Sequence, residues 1–226
     1  MTRILGRFQV LKDISFSVSE REIVGIIGPN GAGKTTLMEC IAGLQPINSG
    51  AVIVGGTAIK AQQRKQFVFY QPDQVLPYPE HGVMATLLFF RDIFGTGTSR
   101  MEKLIERLRL SQVLEKKVGE LSRGFQKRLL LTLGLMSPRP IVLLDEPFEG
   151  LDVKQVKEVV SVLQEERDNG RCLILSIHQI IDAQRISDRL LLLNEGKVLG
   201  GGSLDDLRAK AGLPDGSLED LFIALT

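Results

Sequence analysis

Ile23-Val24-Gly25-Ile26-Ile27 runs without a break into Gly28-Pro29-Asn30-Gly31-Ala32-Gly33-Lys34-Thr35-Thr36. A continuous apolar run of this kind reads as a strand buried on both faces, and the glycine-rich turn after it leads into a helix beginning near Lys34. The combination implies a site for a nucleoside triphosphate. Glycines let backbone N–H groups turn inward around a β-phosphate, the Lys34 ammonium reaches β- and γ-oxygens, and the Thr35 hydroxyl is placed to ligate Mg²⁺. The positive end of the helix adds to the attraction. A ligand-free glycine turn has no need of Lys34, Thr35 and Thr36 at these places. A dinucleotide fingerprint fits less well, because Lys34 and Thr36 stand where its helix-packing glycine is expected.

Two more apolar strands end in reactive side chains. Ile141-Val142-Leu143-Leu144 stops at Asp145-Glu146-Pro147, and Cys172-Leu173-Ile174-Leu175-Ser176 is followed by Ile177-His178. Ligands of open α/β sheets bind beyond the carboxyl ends of the strands, so the three ends are expected to converge. Asp145 then suits the carboxylate that holds a Mg²⁺ water shell, and Glu146 the group that orients or deprotonates an attacking water. His178 is placed to sense a γ-phosphate, since a neutral imidazole donates one hydrogen bond and accepts another. Taken alone, the acidic pair would read as a helix cap or surface loop, and the histidine as a core residue. The neighbouring phosphate loop is what turns them into a candidate site.

The chain has 226 residues, enough for one large domain with a subdomain rather than two independent ones. Its 28 Lys and Arg against 27 Asp and Glu leave no net charge that calls for a nucleic-acid partner. Cys40 and Cys172 lie in apolar segments without metal-binding spacing, which points to buried, reduced thiols in a cytosolic protein. No stretch approaches the roughly 18 uninterrupted apolar residues of a membrane helix, and the N-terminus lacks a signal core. If the protein works at a membrane, another chain spans it.

The pattern along the chain is that of an α/β protein. Ile14-Ser15-Phe16-Ser17-Val18 alternates as a strand does, and Ala51-Val52-Ile53-Val54 before Gly55-Gly56 reads as another. From about Gln71 the character changes: Pro72, Pro77 and Pro79 mark a loop, and helices are expected at 83–94, 100–109 and 125–136. These form a helical subdomain, about 72–136, inserted between sheet strands. A helix at about 153–168, a hairpin from Leu190 through Asn194-Glu195-Gly196-Lys197 to Leu199, and terminal helices near 203–211 and 217–225 complete the reading.

At this point the chain resembles the ATP-binding cassette (ABC) ATPases, with the family's motifs in order over essentially its whole length. Gly28 to Thr36 matches Walker A, Gln71 the Q-loop, and Leu121-Ser122-Arg123-Gly124-Phe125-Gln126 the signature. Ile141 to Glu146 matches Walker B, Gly150-Leu151-Asp152 the D-loop, and His178 the switch histidine. The resemblance implies a P-loop NTPase core with N-terminal antiparallel strands. It also implies ATP and Mg²⁺ as ligands, with Thr35, Gln71 and Asp145 around the metal and Glu146, Gln71 and His178 in catalysis. A head-to-tail dimer is implied too, in which Ser122, Gly124 and Asp152 of a second cassette complete the site formed by the Walker A loop of the first.

The signature departs from the usual form at Arg123, where glycine is usual, and at Phe125, where glutamine is usual. The aromatic that stacks on adenine in relatives should fall near Leu5, with Phe8 the nearest ring. Lacking membrane spans, a second cassette or a coiled coil, the chain looks like a separate ATPase subunit, peripheral on the cytoplasmic face of the membrane. Leu76, Tyr78, Phe89 and Phe90 are candidates for contact with integral membrane permease subunits. Pro147 to Asp152 and the tail Ser217-Leu218-Glu219-Asp220-Leu221-Phe222 look like export-type subunits. The rival is an ATP-switched soluble module that regulates or assembles other proteins without transport.

Overall fold

The computed structural model describes residues 1–73 and 75–226. The first half runs β1 (Arg3–Leu5), β2 (Phe8–Leu11), β3 (Ile23–Ile27), α1 (Lys34–Ala42), β4 (Ile53–Val54), β5 (Thr57–Ala58), α2 (Ala61–Arg64) and β6 (Val68–Gln71). Three helices follow: α3 (Val83–Phe94), α4 (Thr98–Arg107) and α5 (Arg123–Met136). The chain then returns to the sheet with β7 (Ile141–Asp145), α6 (Val153–Asp168), β8 (Cys172–Ser176), α7 (Ile180–Ile186), β9 (Arg189–Asn194) and β10 (Lys197–Gly202). It ends in α8 (Leu204–Ala211) and α9 (Leu218–Leu225).

Six strands form the central sheet in the order β10-β9-β3-β8-β7-β6. Every neighbouring pair is parallel except β9 and β10, whose tight turn carries Glu195 at φ 45° and Gly196 at φ 74°. Two consecutive positive φ values match the twist of the strands they join. Because β3, β8 and β7 lie side by side and parallel, the phosphate loop, Ile177-His178 and Glu146 all leave the sheet at one edge. The register pairs Asp145 with Ser176 and Ser176 with Ile26.

Alternate residues of the parallel strands feed two separate cores, which explains their unbroken apolarity. On one face Ile23, Ile27, Val142, Leu144, Leu173 and Leu175 meet α3 to α9. On the other, Val24, Ile26, Leu143, Ile174 and Leu191 meet Leu37, Met38 and Ile41 of α1. The helical segment lies between β6 and β7, with α3, α5 and α6 close to their expected limits. Cys40 and Cys172 are buried free thiols, and burial pushes that of Cys172 up to about 12.

Several local expectations need correction. Ile14 to Val18 forms no strand, although Ile14, Phe16 and Val18 do turn inward in alternation against the α1-side core. Alternation reports one-sided burial and not pairing, and the antiparallel N-terminal pair is instead β1 with β2. Of the residues 51–54 only Ile53 and Val54 pair, with Thr57 and Ala58. The edge strand β6 was absent from the sequence reading, since four residues carry no usable period; its pairing with β7 defines it. The triplet Gly200-Gly201-Gly202 belongs to β10 rather than following it, because α8 lies against the strand. A Cβ on Gly200 would stand 2.9 Å from Leu207. The short α7 was also unforeseen.

Gly196 joins the β9–β10 turn to β2: its carbonyl accepts from Lys12 N–H at 2.7 Å, and a Cβ there would lie 2.0 Å from the Val10 oxygen. We predict that Gly196→Ala costs roughly 1–3 kcal/mol, through the clash and the positive φ together. Thermal unfolding should show Tm lowered by roughly 2–12 °C, and an unchanged Tm would contradict the assigned turn.

Candidate nucleotide-binding site

Beyond the carboxyl ends of β3, β8 and β7 opens a cavity of about 600 Å³, lined by Val10, residues 29–36, Asp73, Asp145, Glu146, Glu149 and His178. The volume falls within the usual range for small-molecule sites. Pro29 to Thr36, Asp145, Glu146 and His178, read separately from three strand ends, are therefore brought together. Gly28 lies just beneath: a Cβ there would stand 2.0 Å from the Leu193 carbonyl oxygen, so only glycine lets the loop leave β3 along this path. Gly33 caps α1 at φ 103°, a left-handed conformation that aims the first helical N–H groups into the cavity. The Lys34 ammonium is folded over the loop, donating to the carbonyls of Gly28 at 2.7 Å and Pro29 at 3.4 Å.

Asp145 is buried, with 3% of its surface exposed, and its carboxylate is bonded by hydroxyls of three other elements. Thr35 Oγ1 donates to Oδ2 at 2.9 Å, the Tyr70 hydroxyl reaches the same oxygen at 3.4 Å, and Ser176 Oγ donates to Oδ1. Burial and the Asp145 carboxylate hold the Tyr70 phenol well above the usual tyrosine range, so it remains a donor. The Thr35 hydroxyl and Asp145 carboxylate make a hard, oxygen-only pair of the kind that suits Mg²⁺, which is held by few protein groups together with substrate phosphates. The site therefore fits the metal that the sequence implies.

Glu146 follows with φ 49°, an uncommon conformation for a residue with a side chain. Its N–H donates to Ser176 Oγ at 3.0 Å, and its carbonyl accepts from Lys127 Nζ at 2.9 Å. Burial raises the pKa of its carboxyl above the ordinary value; Lys34 and His178 act against that rise, while Asp145 reinforces it. His178 is exposed and lines the cavity beside it.

Four of the sequence-derived residues stand elsewhere. Gln71, at the end of β6, is 4% exposed and turned toward Gly134 of α5; among the described residues neither end of its amide has a hydrogen-bond partner. It does not line the cavity. Ser122 caps α5 from an exposed position with its hydroxyl free of any capping bond, and Gly124 lies in the first turn of that helix. Asp152 is the N-cap of α6 and accepts from Gln155 N–H at 2.8 Å. None of the three reaches this chain's own cavity. Of the two signature departures, Phe125 packs under the Arg128 guanidinium, 4.2 Å from its ring centre, and Arg123 points to solvent. Leu5 and Phe8 pair with each other in the β1–β2 hairpin, with Phe8 78% exposed; Val10 is the hairpin residue that lines the cavity.

Tyr70, Asp73, Ser176 and Lys127 were not singled out from the sequence. Asp73 and Lys127 form an ion pair at 2.8 Å across the loop after β6. Only their place beside two motifs hinted at them, because a hydroxyl or ammonium acquires its role from what the fold sets opposite it.

The profile of the family described as "ABC transporter" matches residues 11–149. An uncharacterised ABC transporter ATP-binding protein of Methanocaldococcus jannaschii is 34% identical over 214 residues, 93% of this chain and 78% of the relative. The Nod factor export ATP-binding protein I of Rhizobium etli is 32% identical over 213 residues, 92% of this chain and 67% of that one. Among solved structures, that of an ATP-binding subunit of an ABC transporter superposes with a TM-score of 0.90 at 28% identity, covering 99% of this chain and 96% of the other. The cavity, the buried Asp145 and the order of motifs agree with these likenesses: the chain belongs to the ABC transporter family, as an ATP-binding subunit of the kind that energises transport.

Proposed function

We propose that the chain hydrolyses ATP at composite sites formed between two cassettes and so drives a membrane transporter, in the direction of export. The observation that carries hydrolysis is the placement of Glu146. Its carboxyl lines the same cavity as Lys34 and Thr35, and its raised pKa makes it a better proton acceptor once ionised. The phosphate chain lies along the backbone N–H groups of Asn30, Gly31, Gly33, Lys34 and Thr35, and Lys34 exchanges its two carbonyl partners for β- and γ-oxygens. Thr35 and Asp145 would hold Mg²⁺, which when bound would supply positive charge to offset that of the phosphates. Glu146 orients a water for in-line attack and takes its proton, while His178 donates to the γ-phosphate. Positioning and charge stabilisation are the main protein contributions.

Dimerisation is supported by the signature. Ser122 presents an unbonded hydroxyl and Gly124 a helix N-terminus, yet neither faces this chain's own cavity, so a phosphate from a second cassette is the partner that suits them. Docking to integral membrane subunits is supported by Tyr78 and Phe89, which are 74% and 60% exposed; Val75 and Ile93 are exposed as well. Leu76 and Phe90 are partly buried, Phe90 against Phe94. Among the described residues no helix is long and apolar enough to cross a membrane; the family likeness supports a peripheral place beside membrane-spanning partners, on the cytoplasmic face. Export rests on the Pro147-to-Asp152 segment, the α9 tail and the likeness to the Nod factor export protein.

Glu146→Gln is expected to bind ATP as the wild type does, lose roughly 10²–10⁴-fold in turnover, and accumulate as an ATP-bound dimer in size-exclusion chromatography with light scattering. Wild-type turnover in that variant overturns the assignment. Lys34→Ala should weaken ATP binding about tenfold or more, as expected for a lost charge-assisted contact; calorimetry showing unchanged affinity would remove Lys34 from the cradle.

The raised pKa of Glu146 also makes a stability prediction. A carboxyl whose pKa is higher folded than unfolded opposes folding above its folded pKa, and that cost vanishes below the unfolded pKa. Glu146→Gln should therefore raise Tm at neutral pH, with the gain shrinking as pH falls through the carboxylate range. A gain that grows on acidification would show that the shift has the opposite sign.

A further inference from the structure

The helical segment touches the catalytic edge through one buried ammonium. Lys127 lies in the second turn of α5, one turn beyond Ser122 and Gly124, with 7% of its surface exposed. Its Nζ donates to the Glu146 carbonyl at 2.9 Å and to Asp73 Oδ1 at 2.8 Å. Ser176 Oγ holds the peptide unit on the other side of the Glu146 Cα, accepting from Glu146 N–H at 3.0 Å while donating to Asp145. The left-handed backbone of Glu146 is thus clamped at both ends, once from the sheet and once from the signature helix.

We propose that Lys127 is a positioning residue for hydrolysis, tying the Glu146 backbone and the loop after β6 to the helix that carries Ser122 and Gly124. Charge-assisted hydrogen bonds are short and directional, so α5 cannot shift relative to Glu146 without breaking or dragging this link. A contact made at Ser122 and Gly124 by a second cassette is thereby felt at the group that activates water. Asp73, which lines the cavity, serves as counter-charge and keeps the ammonium in place. The proposal rests on Glu146 being the base.

The test measures ATP turnover and ATP affinity separately, with amide hydrogen exchange over residues 146–149 as a readout that needs no turnover. In Lys127→Met, kcat should fall roughly tenfold to a hundredfold with KM within about twofold, and exchange of that segment should accelerate. Lys127→Arg, which keeps a buried donor, should recover most of both, and Lys127→Gln, with a shorter reach, should lose several-fold in kcat (roughly, as for one weakened hydrogen bond). The Asp73→Asn/Lys127→Met double variant should stay slow. Wild-type kcat and exchange in both Lys127→Met and Lys127→Gln overturn the proposal. So does recovery in the double variant, which would reduce Lys127 to neutralising Asp73. Wild-type turnover in Glu146→Gln would instead overturn the assignment of the base, whereas an inactive Glu146→Gln beside an unaffected Lys127→Met overturns only the positioning role.

Discussion

A carboxylate buried at the end of β7 organises this protein. Asp145 is withdrawn from water, and leaving such a group without partners costs several kcal/mol. Its partners are hydroxyls from α1, β8 and β6, so satisfying one side chain requires the phosphate-loop helix and three strands to meet in a single register. The pairing of Asp145 with Ser176 follows directly, and with it the convergence of the three strand ends on one cavity. The same oxygens that meet this structural demand form the donor set that a Mg²⁺ site requires.

Glu146 differs from its neighbour. It emerges from the sheet in a left-handed conformation, half out of the core, and its carboxyl is pushed upward by burial while Lys34 pulls it down. The two adjacent acids thus divide the work by environment: one is saturated with hydrogen bonds and fixed, the other is left free at its carboxyl and held only through its backbone. Holding the backbone from both the sheet and α5 places a reactive group without occupying its reactive atoms.

The remaining residues singled out from the sequence lie outside this cavity. Ser122 is exposed and Gly124 buried in the first turn of α5, Asp152 is engaged in capping α6, and Gln71 rests against Gly134 with no hydrogen-bond partner among the described residues. Their place outside this chain's own cavity accords with the proposal that a second cassette completes the site.

Much of this was legible before the fold was known, because local chemistry dictates it. A run of five apolar residues entering a glycine loop has few uses, and Lys34, Thr35, Asp145, Glu146 and His178 were assigned from type and place alone. Helices α3, α5 and α6 were equally plain from their period. What the sequence could not settle was anything that depends on a partner remote in the chain. Ile14 to Val18 alternates but finds no neighbouring strand, whereas β6 shows no period and is a strand because β7 pairs with it. Tyr70, Ser176 and Lys127 are ordinary residues until the tertiary structure brings them to Asp145 and to the Glu146 backbone. Residue type and spacing determine which chemistry is available, since they act through local geometry; only long-range packing decides which groups hold that chemistry in place, since hydrogen bonds form between atoms that meet and not between positions in a sequence.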